Sequence, residues 1–126
     1  MDWVSKEKKR RYFRLRYPRT RRPRIEVNDG MCEVVEVSEG GLRLRAEDWD
    51  LPEGSDVIAR IHFSDGEVCF LNNAEVHRVD KDEVVIVFTG GVSLKRMAKE
   101  QRKILRASIL EGDHAAIEAL RLRHNT

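Results

Sequence analysis

The chain has 126 residues, 40% of them hydrophobic and 37% charged. That is one domain's worth of sequence, able to bury a core without staples, and the apolar share excludes wholesale disorder. The formal net charge of +2 is small, so the whole molecule is neither a polycation nor a polyanion.

No apolar run approaches the ~20 residues of a membrane-spanning helix. The charged N-terminus is not followed by the apolar stretch of a secretory signal, so none is expected. Cys32 and Cys69 are the two cysteines. They do not make a disulfide framework, and a reduced, cytoplasmic setting is expected.

The charge is divided unevenly. Residues 1–24 hold eleven Lys/Arg against two acids, a local charge of +9. The rest holds thirteen bases against twenty acids, a charge of −7. A basic arm of this kind suits an anionic partner. The plainer reading is a solvated tail.

From residue 24 the pattern alternates with period two. Ile25 and Val27 alternate with Arg24 and Glu26, and Asn28-Asp29-Gly30 signals a hairpin. Val35 and Val37 share one face, against Val34 and Glu36. Ser38-Glu39-Gly40-Gly41 turns the chain into Leu42 and Leu44. A polar connection with Trp49 and Pro52-Glu53-Gly54 follows. Val57, Ala59, Ile61 and Phe63 form the clearest alternating face. Ser64-Asp65-Gly66 turns into Val68, Phe70, Ala74 and Val76, read as one strand with a bulge at Asn72-Asn73. After Asp80-Lys81-Asp82, residues 83–88 are nearly all apolar, as for a strand covered on both faces.

These are six strands joined mostly by short turns, hence antiparallel neighbours. Closure into a small barrel accommodates six such strands with one apolar face each. Ser93 caps a helix carrying Leu94, Met97, Ile104 and Leu105, with Lys95, Arg96, Lys99, Arg102, Lys103 and Arg106 on the other faces. A second short helix is expected around Ala116, Ile117 and Leu120. The expected divisions are an arm at 1–18, a barrel at 19–92 and a helical segment at 93–126. One helix covering one barrel, and so a monomer, is favoured over a dimer.

Catalytic chemistry finds no support. Cys32, His62, Cys69 and His77 show no metal-ligand spacing, and no metal is expected. Ser38 is not in a nucleophile elbow, and no phosphate loop or dinucleotide fingerprint is present.

The arm reads Lys9-Arg10-Arg11-Tyr12-Phe13-Arg14-Leu15-Arg16-Tyr17-Pro18. Arginine contacts phosphate and the O6/N7 edge of guanine in bidentate fashion and stacks on bases. Arg10-x-x-x-Arg14 resembles the RxxxR motif of PilZ domains, which precedes a six-stranded antiparallel barrel. The turn Glu36-Val37-Ser38-Glu39-Gly40-Gly41 resembles that family's [D/N]xSxxG motif. Ser38 and Gly41 match it, and Glu36 stands where the pattern has Asp or Asn.

The resemblance covers roughly residues 8–106. It implies an all-β core of PilZ type with one or two C-terminal helices, and a ligand, cyclic di-GMP. Arg10 and Arg14 would grip guanine edges and phosphates. Glu36 and Ser38 would hydrogen-bond the ligand, and Gly41 would allow the turn or a close approach. The implied role is a non-enzymatic receptor whose arm is mobile until ligand orders it, and which then presents a surface to a downstream protein. The alternatives are a ligand-free interaction module and, disfavoured by the acidic remainder, a nucleic-acid binder.

Overall fold

A computed structural model describes residues 14–111. Eight strands and one long helix lie among them. They are β1 (Leu15–Arg16), β2 (Arg24–Val27), β3 (Gly30–Val37), β4 (Gly41–Arg45), β5 (Ala59–His62), β6 (Val68–Phe70), β7 (Glu75–Asp80), β8 (Glu83–Val87) and α1 (Leu94–Glu111). The second helix expected near residue 117 lies outside the described residues.

The strands form one antiparallel sheet in the order β6-β5-β2-β3-β4-β8-β7. β4 occupies one edge of β3. β2 and β1 follow each other along the opposite edge, at residues 30–33 and 36–37 of β3. A 3-10 turn at Arg19–Arg21 separates them. The ladder does not run from β6 to β7. Isolated bridges instead join Asp56 to Glu75 and Asn72 to Gly90, with backbone bonds such as Val57 N–H to the Ala74 carbonyl at 3.0 Å.

The sequence expectation differs from this arrangement in three ways. First, the 68–76 run is two strands. β6 pairs with β5, and β7 pairs with β8. Between them Asn73 takes a positive φ of 55°, which Asn tolerates better than a β-branched residue. Val68 and Phe70 face outward, opposite His62 and Arg60, while Cys69 faces Ile61 in the core. The hairpin at Ser64–Gly66, with Gly66 at φ 94°, sets that register.

Second, the β3–β4 register shifts between Val34 and Glu36. The bulge sends both Val34 and Val37 into the core cluster, three residues apart, which plain alternation forbids. Val35 is buried as well, but outside that cluster.

Third, the sheet begins before the boundary expected at residue 19. Leu15 is 0% exposed, and Tyr17 is buried with it in the core. The Tyr17 amide donates to the Val35 carbonyl at 2.9 Å. Leu15 to Tyr17, expected within the arm at 1–18, thus belong to the sheet and its core.

The core is made of alternating inward residues: Ile25 and Val27, Leu42 and Leu44, Ala59 and Ile61, Val84 and Ile86. Each fully buried aliphatic side chain contributes ~1.5–3 kcal/mol. Helix α1 closes over this core with Met97 and Ile104, and Leu105 packs beside them. Ser93 Oγ accepts from the Arg96 amide at 3.0 Å, the expected N-cap. Leu94 lies off the seam and is exposed. Gly91 links β8 to α1 at φ 124°. A Cβ there would overlap the Phe70 carbonyl, so no other residue fits without moving backbone. No helix among the described residues is long and apolar enough to cross a membrane.

Candidate functional site

The antiparallel pairs Leu15↔Val37 and Arg16↔Glu36 fix the geometry of the site. The pairing ends at Leu15↔Val37, and extending its register by one step sets Arg14 level with Ser38. Leu15 points into the core, so Arg14 and Arg16 lie on the outer face by strand alternation. Arg14 is exposed. Arg10 lies outside the described residues.

Glu36, read onto the face opposite Val35 and Val37, is mostly covered rather than open to solvent. Its side chain is 14% exposed, and Arg16 Nη1 lies 3.6 Å from its Oε1. The cover comes from β1, which lies alongside β3 here. Across β3–β4, Glu36 stands opposite Arg43. Arg43 Nη1 reaches Glu83 at 3.2 Å and Asp80 at 3.5 Å. Charge therefore alternates across the outer face as Arg16, Glu36, Arg43 and the acids of the β7–β8 hairpin. The motifs name neither Arg16 nor Arg43. Arg16 shares the strand parity of Arg14, a visible signal; Arg43 is placed only by the register.

The turn after β3 is closed by Ser38. Its amide donates to the Gly41 carbonyl at 2.8 Å, and its Oγ–H donates to the same oxygen at 3.1 Å. The Gly40 carbonyl accepts from the Phe88 amide at 3.1 Å. Gly41 lies outside the left-handed region. A Cβ on it would stand 3.2 Å from the Ile86 carbonyl, so glycine serves the close approach of β4 to β8. The structure thus gathers Arg14, Glu36, Ser38 and Gly41 at one end of β3, with Ser38 shaping the turn.

A buried polar cluster adjoins β1 from beneath. Arg96 was expected on an outer helix face, yet its side chain is 5% exposed. Its guanidinium carbon stacks 3.9 Å from the Phe63 ring centroid. Its two terminal nitrogens donate to both oxygens of Asp65, at 2.9 and 3.1 Å, and also to Glu67 and Glu100. Glu100 is itself buried. It accepts from Lys103 Nζ at 3.1 Å and from Tyr17 Oη–H at 2.8 Å. Burial first, and then Glu100, push the Tyr17 phenol far above its ordinary range. The Arg96–Glu100 pair therefore ties the β5–β6 hairpin, through Arg96, and the residue after β1, through Glu100, to α1.

The hydrogen bonds from Arg96, then Lys99 and the Glu67 amide, hold the Asp65 carboxyl well below its ordinary value of 3.8. In the unfolded chain that carboxyl titrates near its ordinary value, so falling pH protonates the unfolded state first. The stabilisation is complete above that range and is lost as pH drops below it. The thermal midpoint is expected to fall with pH below about 4. Asp65→Asn should flatten part of that slope. Identical pH profiles for the two proteins would show that Asp65 does not contribute.

Cys32 and Cys69 are free and half-buried, and burial raises both thiols. His62 Nε2 lies 3.2 Å from Glu26, which also takes a bidentate pair from Arg60. Among the described residues no three His, Cys, Asp or Glu gather as a metal site.

The family model of the PilZ domain matches residues 8–111. The inhibitor of motility MotI/DgrA of Bacillus subtilis is similar in structure, with a TM-score of 0.58 at 12% identity, over 79% of this chain and 51% of that one. YcgR of Escherichia coli, solved in complex with c-di-GMP, gives 0.50 at 19% identity, over 90% of this chain and 50% of that one. The chain spans about half the length of each of these two. At such identities the likeness is one of fold. No curated protein matches the chain in sequence.

Proposed function

The chain belongs to the PilZ domain family, and from that premise we propose that it is a receptor for cyclic di-GMP with no catalytic activity of its own. The observation that supports the reading is the β1–β3 register, which pairs Leu15 with Val37 and Arg16 with Glu36, so that its extension sets Arg14 next to the Ser38–Gly41 turn. A dianion with two guanines suits this edge. Arg10 and Arg14 contact phosphate and the O6/N7 edges. The Glu36 carboxylate accepts from guanine N1–H and N2–H2. Ligand orders the segment preceding Leu15 against the sheet, and the new surface is read by a downstream protein partner. A monomer in the cytoplasm is the form that goes with this reading.

One observation favours a second reading. Glu36 is mostly covered and already paired with Arg16. A carboxylate so engaged has less to offer a ligand, and the chain would then be a ligand-free interaction module.

Isothermal titration of the full chain with cyclic di-GMP tests both. Saturable binding is expected, and its absence would replace the first reading by the second. Glu36→Ala should weaken binding by ~1–3 kcal/mol, the range for losing a charge-assisted hydrogen bond. It should change stability by less than ~1 kcal/mol, since Arg16 is half exposed. Glu36→Asp should keep or improve affinity by restoring the shorter carboxylate of the motif. Equal affinities for all three proteins would show that residue 36 makes no useful contact with the ligand.

A further inference from the structure

A second concave surface opens between the 3-10 turn, the start of β2, the end of β5 and the later turns of α1. Its volume is about 710 Å3, within the range of small-molecule sites. None of Arg14, Glu36, Ser38 and Gly41 lines it. It exists because the chain leaves the edge of β3 after Tyr17 and returns to it at Arg24, looping out through the 3-10 turn.

Its lining is cationic. Arg21, Arg22, Arg24, Lys103 and Arg106 all contribute, and Glu100 is the sole carboxylate among the lining residues. That carboxylate is already taken by Arg96, Lys103 and Tyr17. Arg24 and Arg106 form no ion pair with a described residue. Arg22 has a side chain 13% exposed, with Glu33 at 3.4 Å. Its Nε is fully buried and donates to no described residue. Arg96 Nε is the other buried side-chain donor without a partner among the described residues, and such unmet donors are uncommon in a folded protein. Pro23, Phe63 and Ile104 supply an apolar wall.

We propose that this cleft binds a small organic phosphate of about nucleotide size. The cations engage the phosphate, for which guanidinium is the matched donor. The apolar wall takes the organic body. The site is separate from the β1–β3 edge and does not depend on whether that edge binds cyclic di-GMP.

The test uses the full chain, amide shift titrations at fixed ionic strength without divalent metal, and two probes, pyrophosphate and ATP. Saturable shifts are expected at residues 20–22, 24, 62–64 and 103–107. ATP should bind about threefold or more tighter than pyrophosphate, since it alone reaches the apolar wall. Arg22→Gln and Arg106→Gln should each weaken ATP binding about tenfold. Arg106 is exposed, so its variant keeps the test decisive where Arg22→Gln fails to fold. Lys95→Gln, exposed on the same helix but outside the cleft, should leave the affinity unchanged. Shifts spread evenly over exposed cations, equal losses in the Lys95 and Arg106 variants, or no saturation by about 10 mM would overturn the proposal. Displacement of ATP by cyclic di-GMP would also overturn it, because the phosphate would then have been held at the other site.

Discussion

Replacing Arg96 with methionine is expected to destabilise the protein by ~3–5 kcal/mol, the range for removing one partner of a buried ion pair. Methionine keeps much of the aliphatic volume against Phe63, so the loss reports mainly on charge. What it strands is Glu100, a buried carboxylate left with the Tyr17 hydroxyl and Lys103. Asp65 and Glu67 are more exposed and can be rehydrated, so Glu100 dominates the effect. Lysine is a poor substitute, because it has no plane to stack on Phe63 and no fork for the two oxygens of Asp65. Removing both partners is a different experiment. Arg96→Met with Glu100→Leu should recover much of the stability, since a packed apolar pair avoids the desolvation of both charges. Urea unfolding of the three proteins checks it. A single variant within ~1 kcal/mol of wild type would show that the cluster does not hold α1 to the sheet.

The outline of this fold was legible because alternation is a local signal. Ile25 and Val27, Leu42 and Leu44, and Ala59 and Ile61 each declare an inward face within a few residues, and all six are in the core. Where the reading failed, the deciding partner was distant in sequence. Val68 and Phe70 are apolar at alternating positions, yet they face out because the hairpin register sets Cys69 opposite Ile61. Val34 enters the core only because β3 bulges against β4. Leu15 and Tyr17 did alternate with Arg14 and Arg16, but the surrounding arginines disguised a strand as part of a charged arm. Arg96 is the hardest case. Nothing in its helix announces burial, since Phe63 and Asp65 lie about thirty residues earlier. The candidate site divided in the same way. The motifs alone nominate Arg14, Ser38 and Gly41, whereas the cover over Glu36 and the cross-strand place of Arg43 follow from pairing that no local pattern carries.

Substituting the two motif arginines should abolish most of the affinity for cyclic di-GMP while leaving the fold untouched. Arg10→Ala and Arg14→Ala are each expected to weaken binding about tenfold or more, since charge-assisted hydrogen bonds contribute roughly 1.5–3 kcal/mol apiece. The double variant should lose about a hundredfold if the two act independently, and less if they grip one phosphate together. Arg14 is exposed and forms no ion pair with a described residue, so the thermal midpoint of Arg14→Ala should match wild type within the spread of ordinary surface changes. Its neighbour provides the contrast. Leu15 is fully buried, and Leu15→Ala should cost ~2–5 kcal/mol of stability. The comparison must exclude simple attraction between a basic arm and a dianion. Arg19 serves that purpose, being exposed and outside the motif. Arg22 does not, because it is half-buried against Glu33 and lines the second cleft. If Arg19→Ala weakens binding as much as Arg14→Ala at the same salt concentration, the arm acts as a diffuse charge, and the register that sets Arg14 beside Ser38 has no part in recognition. If Arg14→Ala alone loses the ligand, recognition requires that arginine at that level of the β1–β3 edge.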